Sequence, residues 1–289
     1  ALSSAASDVY KRQMQPLRKV ISKLKLRASY GQVGNANLGG RRFAYLSTIT
    51  DDYETLNMYK WGLDSSYGLT GMAEGEFAVQ DLTWEIVNKM NLGVELGFLN
   101  GMIDLQLDYF DERRKDIFMP RESVPMTAGF MKQPWKNFGK VTNQGVEVSL
   151  NVNKQFGKDL FVSLMGTFTY AHNEITEKDE PSAVVGTNRA ETGHPVGQLT
   201  GYIAEGLFTA DDFEDVSTGK LKEGIPTQSF VGKLRPGDIR YRDVNGDGKV
   251  DVFDKSPIGG TKDPEIVYGF GLNMKYKNLD FGALFQGIG

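Results

Sequence analysis

The sequence predicts an all-β protein, and within that class a fragment of a large antiparallel β-barrel that crosses a membrane with its strands. Three observations carry this. Apolar residues recur at every second position in seven separate stretches, the connections between those stretches alternate between very short and very long, and 34 of the 289 residues are Gly, beside 12 Tyr and 17 Phe. A period of two places every second side chain on one face of a strand. Glycine and aromatic enrichment is the composition of turns and pleated surfaces.

Taken in chain order, Leu24, Leu26, Ala28 and Tyr30 alternate with Lys25, Arg27 and Ser29, which predicts the first strand. Leu92, Val94, Leu96 and Phe98 alternate with Asn91, Gly93, Glu95 and Gly97, and the run resumes after Asn100-Gly101 as Ile103, Leu105, Leu107 and Tyr109. Asn-Gly between two alternating runs predicts a hairpin, because both residues tolerate the positive φ of a type I′ turn. The same unit recurs as Val146, Val148, Leu150 and Val152, a turn at Gly157-Lys158, then Leu160, Val162, Leu164, Phe168 and Tyr170. A third hairpin runs Ile266, Tyr268, Phe270, Leu272, Met274 and Tyr276, turns near Lys277-Asn278, and returns as Leu279, Phe281, Ala283 and Phe285.

The connections at 99–101, 156–158 and 277–278 are short, those at about 35–88, 120–143 and 174–264 are long, and the two kinds alternate strictly. In an up-and-down meander this gathers the short turns at one end and the long loops at the other, as membrane barrels do. A compact soluble domain rarely carries structureless connections of this length. The opposite face of each strand is rich in Lys, Glu, Asp, Asn and Gln, whereas a small soluble barrel would need an apolar interior. A polar interior implies a wide, wet or plugged lumen. A two-layer sandwich with one wet face per sheet remains the alternative that alternation alone leaves open.

Composition narrows the function. With 33 Lys+Arg against 37 Asp+Glu, for a net charge of −4, there is no basic footprint for nucleic acid. The chain has no Cys and only His172 and His194, which excludes thiolate metal sites, Cys nucleophiles and most His-based catalysis. No stretch reaches the ~20 apolar residues of a membrane-spanning helix, a criterion that barrel strands never meet. Residues 1–13 read as a junction scar, since Asp8-Val9-Tyr10-Lys11-Arg12-Gln13 is what GAT GTG TAT AAG AGA CAG, a transposon-end sequence, encodes. Leu279 to Gly289 stops within an alternating run, so both ends read as truncations and residues 14–289 as the barrel portion.

Several motifs are familiar in their order. Leu24-Lys-Leu-Arg-Ala-Ser-Tyr-Gly-Gln-Val-Gly-Asn35, Leu82-Thr-Trp-Glu85, Asp108-Tyr-Phe110 with Arg114-Lys-Asp-Ile117, Asn143-Gln-Gly-Val-Glu147, Gly193-His-Pro-Val-Gly197 and Pro236-Gly-Asp238 follow one another from about residue 22 onward. Together they resemble the C-terminal barrel portion of SusC/RagA-type TonB-linked outer-membrane proteins. The resemblance implies a 22-strand barrel around an N-terminal plug, a periplasmic TonB box engaging the TonB complex, and a SusD-like surface lipoprotein that lids the barrel. It also implies a cell outer-membrane location and energy-coupled import of oligosaccharides or peptides rather than an enzyme activity. On that reading the chain holds about the last third of the barrel, without plug, TonB box or closing strands.

One site can be read residue by residue. In Asp243-Val-Asn245-Gly-Asp247-Gly248-Lys249-Val-Asp251-Val-Phe-Asp254 the oxygen donors fall at positions 1, 3, 5, 7 (the Lys249 carbonyl), 9 and 12 of a calcium loop, with Gly248 at position 6 for the sharp turn. Position 12 is Asp254 where an EF-hand has a bidentate Glu, and Pro236-Gly237 upstream argues against a preceding helix, so the pattern predicts a structural Ca²⁺ loop without EF-hand helices. An Asx-turn-rich loop ordered by its own hydrogen bonds is the alternative. Tyr53, Tyr59, Trp61 and Tyr67 in the first long connection and Trp135 in the second are candidates for stacking on sugar rings, or equally for packing loops together. His172 reads as a strand-end residue at the barrel rim and His194 as structural. Adjacent carboxylates such as Asp51/Asp52 and Asp211/Asp212 have no legible glycosidase geometry. The competing functions are a secreted calcium-stabilised glycan-binding β-module, which would fold in water without detergent, and a β-structured glycoside hydrolase, which would need a catalytic carboxylate pair.

Overall fold

The computed structural model describes residues 20–50, 59–61, 63, 67–69, 72–130 and 132–289; residues 1–13 and Tyr53 lie outside them. Seven strands form one sheet: β1 (Ile21–Asn35), β2 (Glu85–Phe98), β3 (Ile103–Pro120), β4 (Trp135–Phe156), β5 (Leu160–Glu177), β6 (Ile266–Tyr276) and β7 (Leu279–Ile288). Each pairs antiparallel with its predecessor, so the sheet is a meander in chain order, and among the described residues it is open. The seven predicted strands are all present.

Register decides which residues share a face. Leu24, Leu96, Leu105, Leu150, Gly166, Phe270 and Phe285 are successive partners in one row across all seven strands. The row two residues on reads Leu26, Val94, Leu107, Val148, Phe168 and Tyr268. One face is therefore a continuous apolar band, and its large side chains are open to the surroundings, Phe270 at 54% and Phe285 at 56%. An exposed apolar band of this breadth has no place in water. The other face pairs Lys25, Glu95, Gln106, Ser149 and Thr167 in one row and Arg27, Gly93, Asp108, Glu147 and Thr169 in the next.

The band also has an edge. Ala28, Leu92, Tyr109, Val146, Tyr170 and Ile266 share a row, and the next row on the same face is Tyr30, Met90, Asp111, Gln144 and His172. Tyr109 and Tyr170 thus stand where apolar gives way to charged, as interfacial aromatics do. From there to the short turn, β6 runs 11 residues, close to the ~9–11 of a tilted transmembrane strand.

Two expectations need correction. The strands on the long-loop side exceed the alternating runs: β4 has 22 residues and starts at Trp135 rather than near Val146. Beyond the apolar band neither face needs to be apolar, so the ladder continues without the pattern that announces it. The first hairpin is not a two-residue turn on Asn100-Gly101 either. Phe98 pairs with Ile103, leaving four connecting residues, and Leu99, Asn100 and Gly101 all have positive φ (52°, 58° and 83°). The Leu99 N–H donates to the carbonyl of Val20, the residue just before β1, at 3.1 Å, drawing Leu99 into the turn.

The long connection between β5 and β6 forms a second compact unit, Glu180–Asp263. Its core is Phe208, Phe213 and Leu234, packed against Leu221, Ile225 and Val231. Short ladders join Gln198–Gly201 to Ser256–Thr261 and Ala204–Leu207 to Ile239–Tyr241, and Thr227–Gln228 runs parallel to Lys249–Val250. Buried Gln228 locks these together, donating to the Ile239 carbonyl (3.1 Å) and accepting the Tyr241 N–H (3.0 Å).

Candidate functional site

The polar face of the sheet is built around one cross-strand ion cluster. Arg27 Nη2 donates to both carboxylate oxygens of Asp108 at 2.7 Å, reaching over β2 from β1 to β3. Gly93 makes this possible: a Cβ there would lie 2.3 Å from Asp108 Oδ1 and 3.0 Å from Arg27 Nε, so only a residue without a side chain leaves the slot. Gln106 donates to Asp108 Oδ2 at 2.8 Å. Glu95 gathers Lys23 (2.8 Å), Lys25 (3.4 Å) and Arg27 Nε (3.2 Å), the last close enough for the charges to attract without a well-aligned hydrogen bond. Alternation predicted polar residues on this face; only register brings Arg27 opposite Gly93 and within reach of Asp108.

At the long-loop end the predicted aromatics divide. The backbones of Tyr59–Trp61 and Tyr67–Leu69 pair as a small ladder, with Trp61 opposite Tyr67. The Trp135 ring carries the Arg41 guanidinium 4.2 Å above its centroid and the Phe118 ring at 5.1 Å, tilted by 34°. This ring joins the first long connection to the ends of β3 and β4. His172 Nδ1 sits 2.7 Å from Glu265 Oε1, one row beyond the Tyr170 girdle.

The 243–254 segment closes on itself. Asp243 accepts the N–H groups of Gly246 (2.7 Å) and Gly248 (2.8 Å), Asn245 that of Asp247 (2.9 Å), and Asp247 that of Lys249 (3.0 Å). Gly246 and Gly248 adopt φ of 76° and 85°, the left-handed turns that such a wrap requires. Asp254, with no solvent exposure, accepts from Val244 (2.8 Å) and Asn245 (3.3 Å) on one oxygen and from Asp251 (2.7 Å) on the other, joining the two ends of the loop. Asp251 caps the short 3-10 helix Val252–Asp254 through the Phe253 N–H. That hydrogen bond holds the Asp251 carboxyl below its ordinary pKa against the opposing effect of desolvation, with further help from Lys249. A strand, Ile239–Tyr241, rather than a helix precedes the loop. All six predicted ligands therefore lie in one closed loop, but their carboxylates serve backbone N–H groups, and among the described residues no three His, Asp or Glu converge as a ready metal cluster. Oxygens that accept a single N–H keep further lone pairs, so the donor set is chemically suited to a hard cation after local rearrangement. The role of Asp254 as the tie between loop ends was not legible from spacing, which assigns its carboxylate to an ion rather than to backbone N–H groups.

Comparison with known proteins places this sheet. A model described as TonB dependent receptor-like, beta-barrel matches residues 2–276. The chain belongs to the TonB-dependent receptor β-barrel family. TonB-dependent receptor P3 of Formosa agariphila is 25% identical over 279 residues, covering 92% of this chain and 25% of that protein. TonB-dependent receptor SusC of Bacteroides thetaiotaomicron is 29% identical over 280 residues, covering 91% of this chain and 24% of that protein. The RagAB peptide importer in its open-open state superposes with a TM-score of 0.66 at 23% identity, over 97% of this chain and 27% of that one. This receptor segment spans about a quarter of the length of the curated relatives it matches. The resemblance to SusC/RagA-type receptors stands, the barrel is one of the outer membrane, and the family is one of receptors and transporters rather than enzymes. The apolar band is accordingly its lipid face and the Arg27–Asp108 face its lumen.

Proposed function

We propose that the full-length protein imports oligosaccharides or peptides across the outer membrane, driven through the TonB complex and working with a SusD-like surface lipoprotein. The two-faced register carries the reading: seven strands in one meander present a continuous lipid band outside and an ion-paired polar wall inside, the build of a wide transport lumen. The family supports coupling to TonB, and the similarity to SusC supports the lipoprotein partner. Deleting the gene in its native host and growing the cells on defined oligosaccharides, on peptides and on their monomers tests this. Loss of growth on one polymeric class with normal growth on its monomers supports import and names the cargo; normal growth on both classes overturns it. Heat-modifiable migration of the detergent-extracted protein separates it from a secreted glycan-binding module, which would fractionate as soluble monomer.

We also propose that Asp243, Asn245, Asp247, the Lys249 carbonyl, Asp251 and Asp254 hold one structural Ca²⁺ in the loop unit. The ligand spacing and the glycine turns support it, and an ion binding only the folded loop would stabilise it by mass action. Mg²⁺ fits less well, because it favours a tight octahedron with retained waters.

A further inference from the structure

Within the Glu180–Asp263 unit lies a cavity of about 550 Å³, bounded by residues of the 188–200 and 252–262 segments. Its walls are fixed to each other by two side-chain amides. Asn188 Nδ2 donates to the carbonyls of Phe253 (3.0 Å) and Lys255 (2.8 Å), and Gln198 Nε2 donates to that of Gly260 (3.1 Å). The volume lies within the range of small-molecule sites, ~300–1,000 Å³.

The lining is cationic. Arg189, Lys255 and Lys262 border the cavity together with His194, and Glu191 is the one carboxylate among the lining residues. Arg189 is positioned by the Phe253 ring, 4.8 Å from its guanidinium carbon, and its charge is partly offset by nearby Asp251. Lys255 stands 5.7 Å over the Tyr202 ring. Neither Lys255 nor Lys262 forms an ion pair among the described residues. Three cations against one carboxylate leave the concave site with an excess of positive charge, and a concave wall concentrates that potential so that it attracts anions. A planar guanidinium suits a carboxylate in two-point contact, and mobile ammoniums complete its shell.

We propose that this cavity binds a carboxylate-bearing small ligand, with Arg189, Lys255 and Lys262 meeting the anionic group. Two sources share that chemistry, a uronic acid residue of an acidic oligosaccharide and the free C-terminus of a peptide. The proposal goes beyond the import reading and does not depend on it, because binding is measured on the isolated protein.

The test is calorimetric titration of the detergent-solubilised full-length receptor with digalacturonate and its methyl ester, and with a tripeptide bearing a free or an amidated C-terminus. The free acid of at least one pair should bind about tenfold or more tighter than its neutral counterpart, a difference that added salt reduces. Whichever pair discriminates names the source. The K255Q/K262Q double variant should lose about tenfold in affinity for that acid, while K255R/K262R retains it. Equal binding of acid and ester in both pairs, no binding of either acid, or an unchanged K255Q/K262Q variant would overturn the proposal. Should the double variant fail to fold, the acid-against-ester comparison on the wild type decides alone.

Discussion

Asp254 and Asp247 belong to the same sequence motif but do different work. Asp254 is fully buried and satisfies three backbone N–H groups, whereas the Asp247 carboxylate accepts one backbone N–H, that of Lys249, at the surface. Removing a buried charged acceptor strands its donors, so Asp254→Ala should destabilise the loop unit by about 2–4 kcal/mol and open it to protease between residues 209 and 262. Asp247→Ala should leave the calcium-free loop nearly as protected as wild type but abolish protection by added Ca²⁺. Wild-type cleavage that ignores both calcium and chelator would reduce the site to an Asx-ordered turn. Acid should act on the same unit. The Thr209 N–H holds Asp212 below the carboxylate norm, the Ser217 and Thr218 hydroxyls do so for Asp215, and the Phe253 N–H does so for Asp251. Carboxylates whose folded pKa is depressed contribute stability above their ordinary pKa, 3.8, and lose it as the pH falls below that value toward the folded one. Protection of the amides within 204–255 against exchange, relative to the intrinsic rate at each pH, should therefore fall below about pH 4; protection that stays constant through that range would show these hydrogen bonds to be immaterial.

At the scale of the strands, register turns an alternating pattern into two environments. Leu105 and Leu150 are direct partners on the lipid band, and Gln106 and Ser149 are direct partners one residue away on the lumen side. Leu105→Arg or Leu150→Arg should cost about 2–4 kcal/mol near the midplane of the bilayer, and Gln106→Arg or Ser149→Arg much less, measured by reversible folding into vesicles. Equal losses on both faces would refute the assignment of faces. Gly93 offers a sharper case. The Cβ of Gly93→Ala would meet Asp108 Oδ1 at 2.3 Å and displace the Arg27–Asp108 pair, so this small substitution should destabilise the barrel, and the Gly93→Ala, Asp108→Ala double variant should recover part of the loss.

For the whole molecule the alternation of connections sets orientation. The turns at 99–102, 157–159 and 277–278 should face the periplasm and the long connections the exterior. In this Cys-free chain, Asn100→Cys and Glu223→Cys can be probed on intact cells with a membrane-impermeant maleimide. Labelling of Glu223→Cys alone is the expected result; labelling of Asn100→Cys alone would invert the topology.

The sequence by itself determined the class, the seven strands, their order and their faces. A period of two survives in any sheet that separates lipid from water, because each misplaced residue is penalised locally. It also located the Asp243–Asp254 loop, since those donors lie within twelve residues of one another. What it left undecided depends on distance along the chain. The Arg27–Asp108 bond joins residues 81 apart and exists because Gly93 happens to stand between them. Strand ends such as Trp135–Gly145 carry no pattern, because beyond the bilayer no face must be apolar. The cationic cavity likewise unites Arg189 with Lys255 and Lys262 only after two amides have drawn their segments together. Tertiary structure settled these because pairing across long loops is a property of the sheet register and of the loop core, neither of which any local stretch of residues encodes.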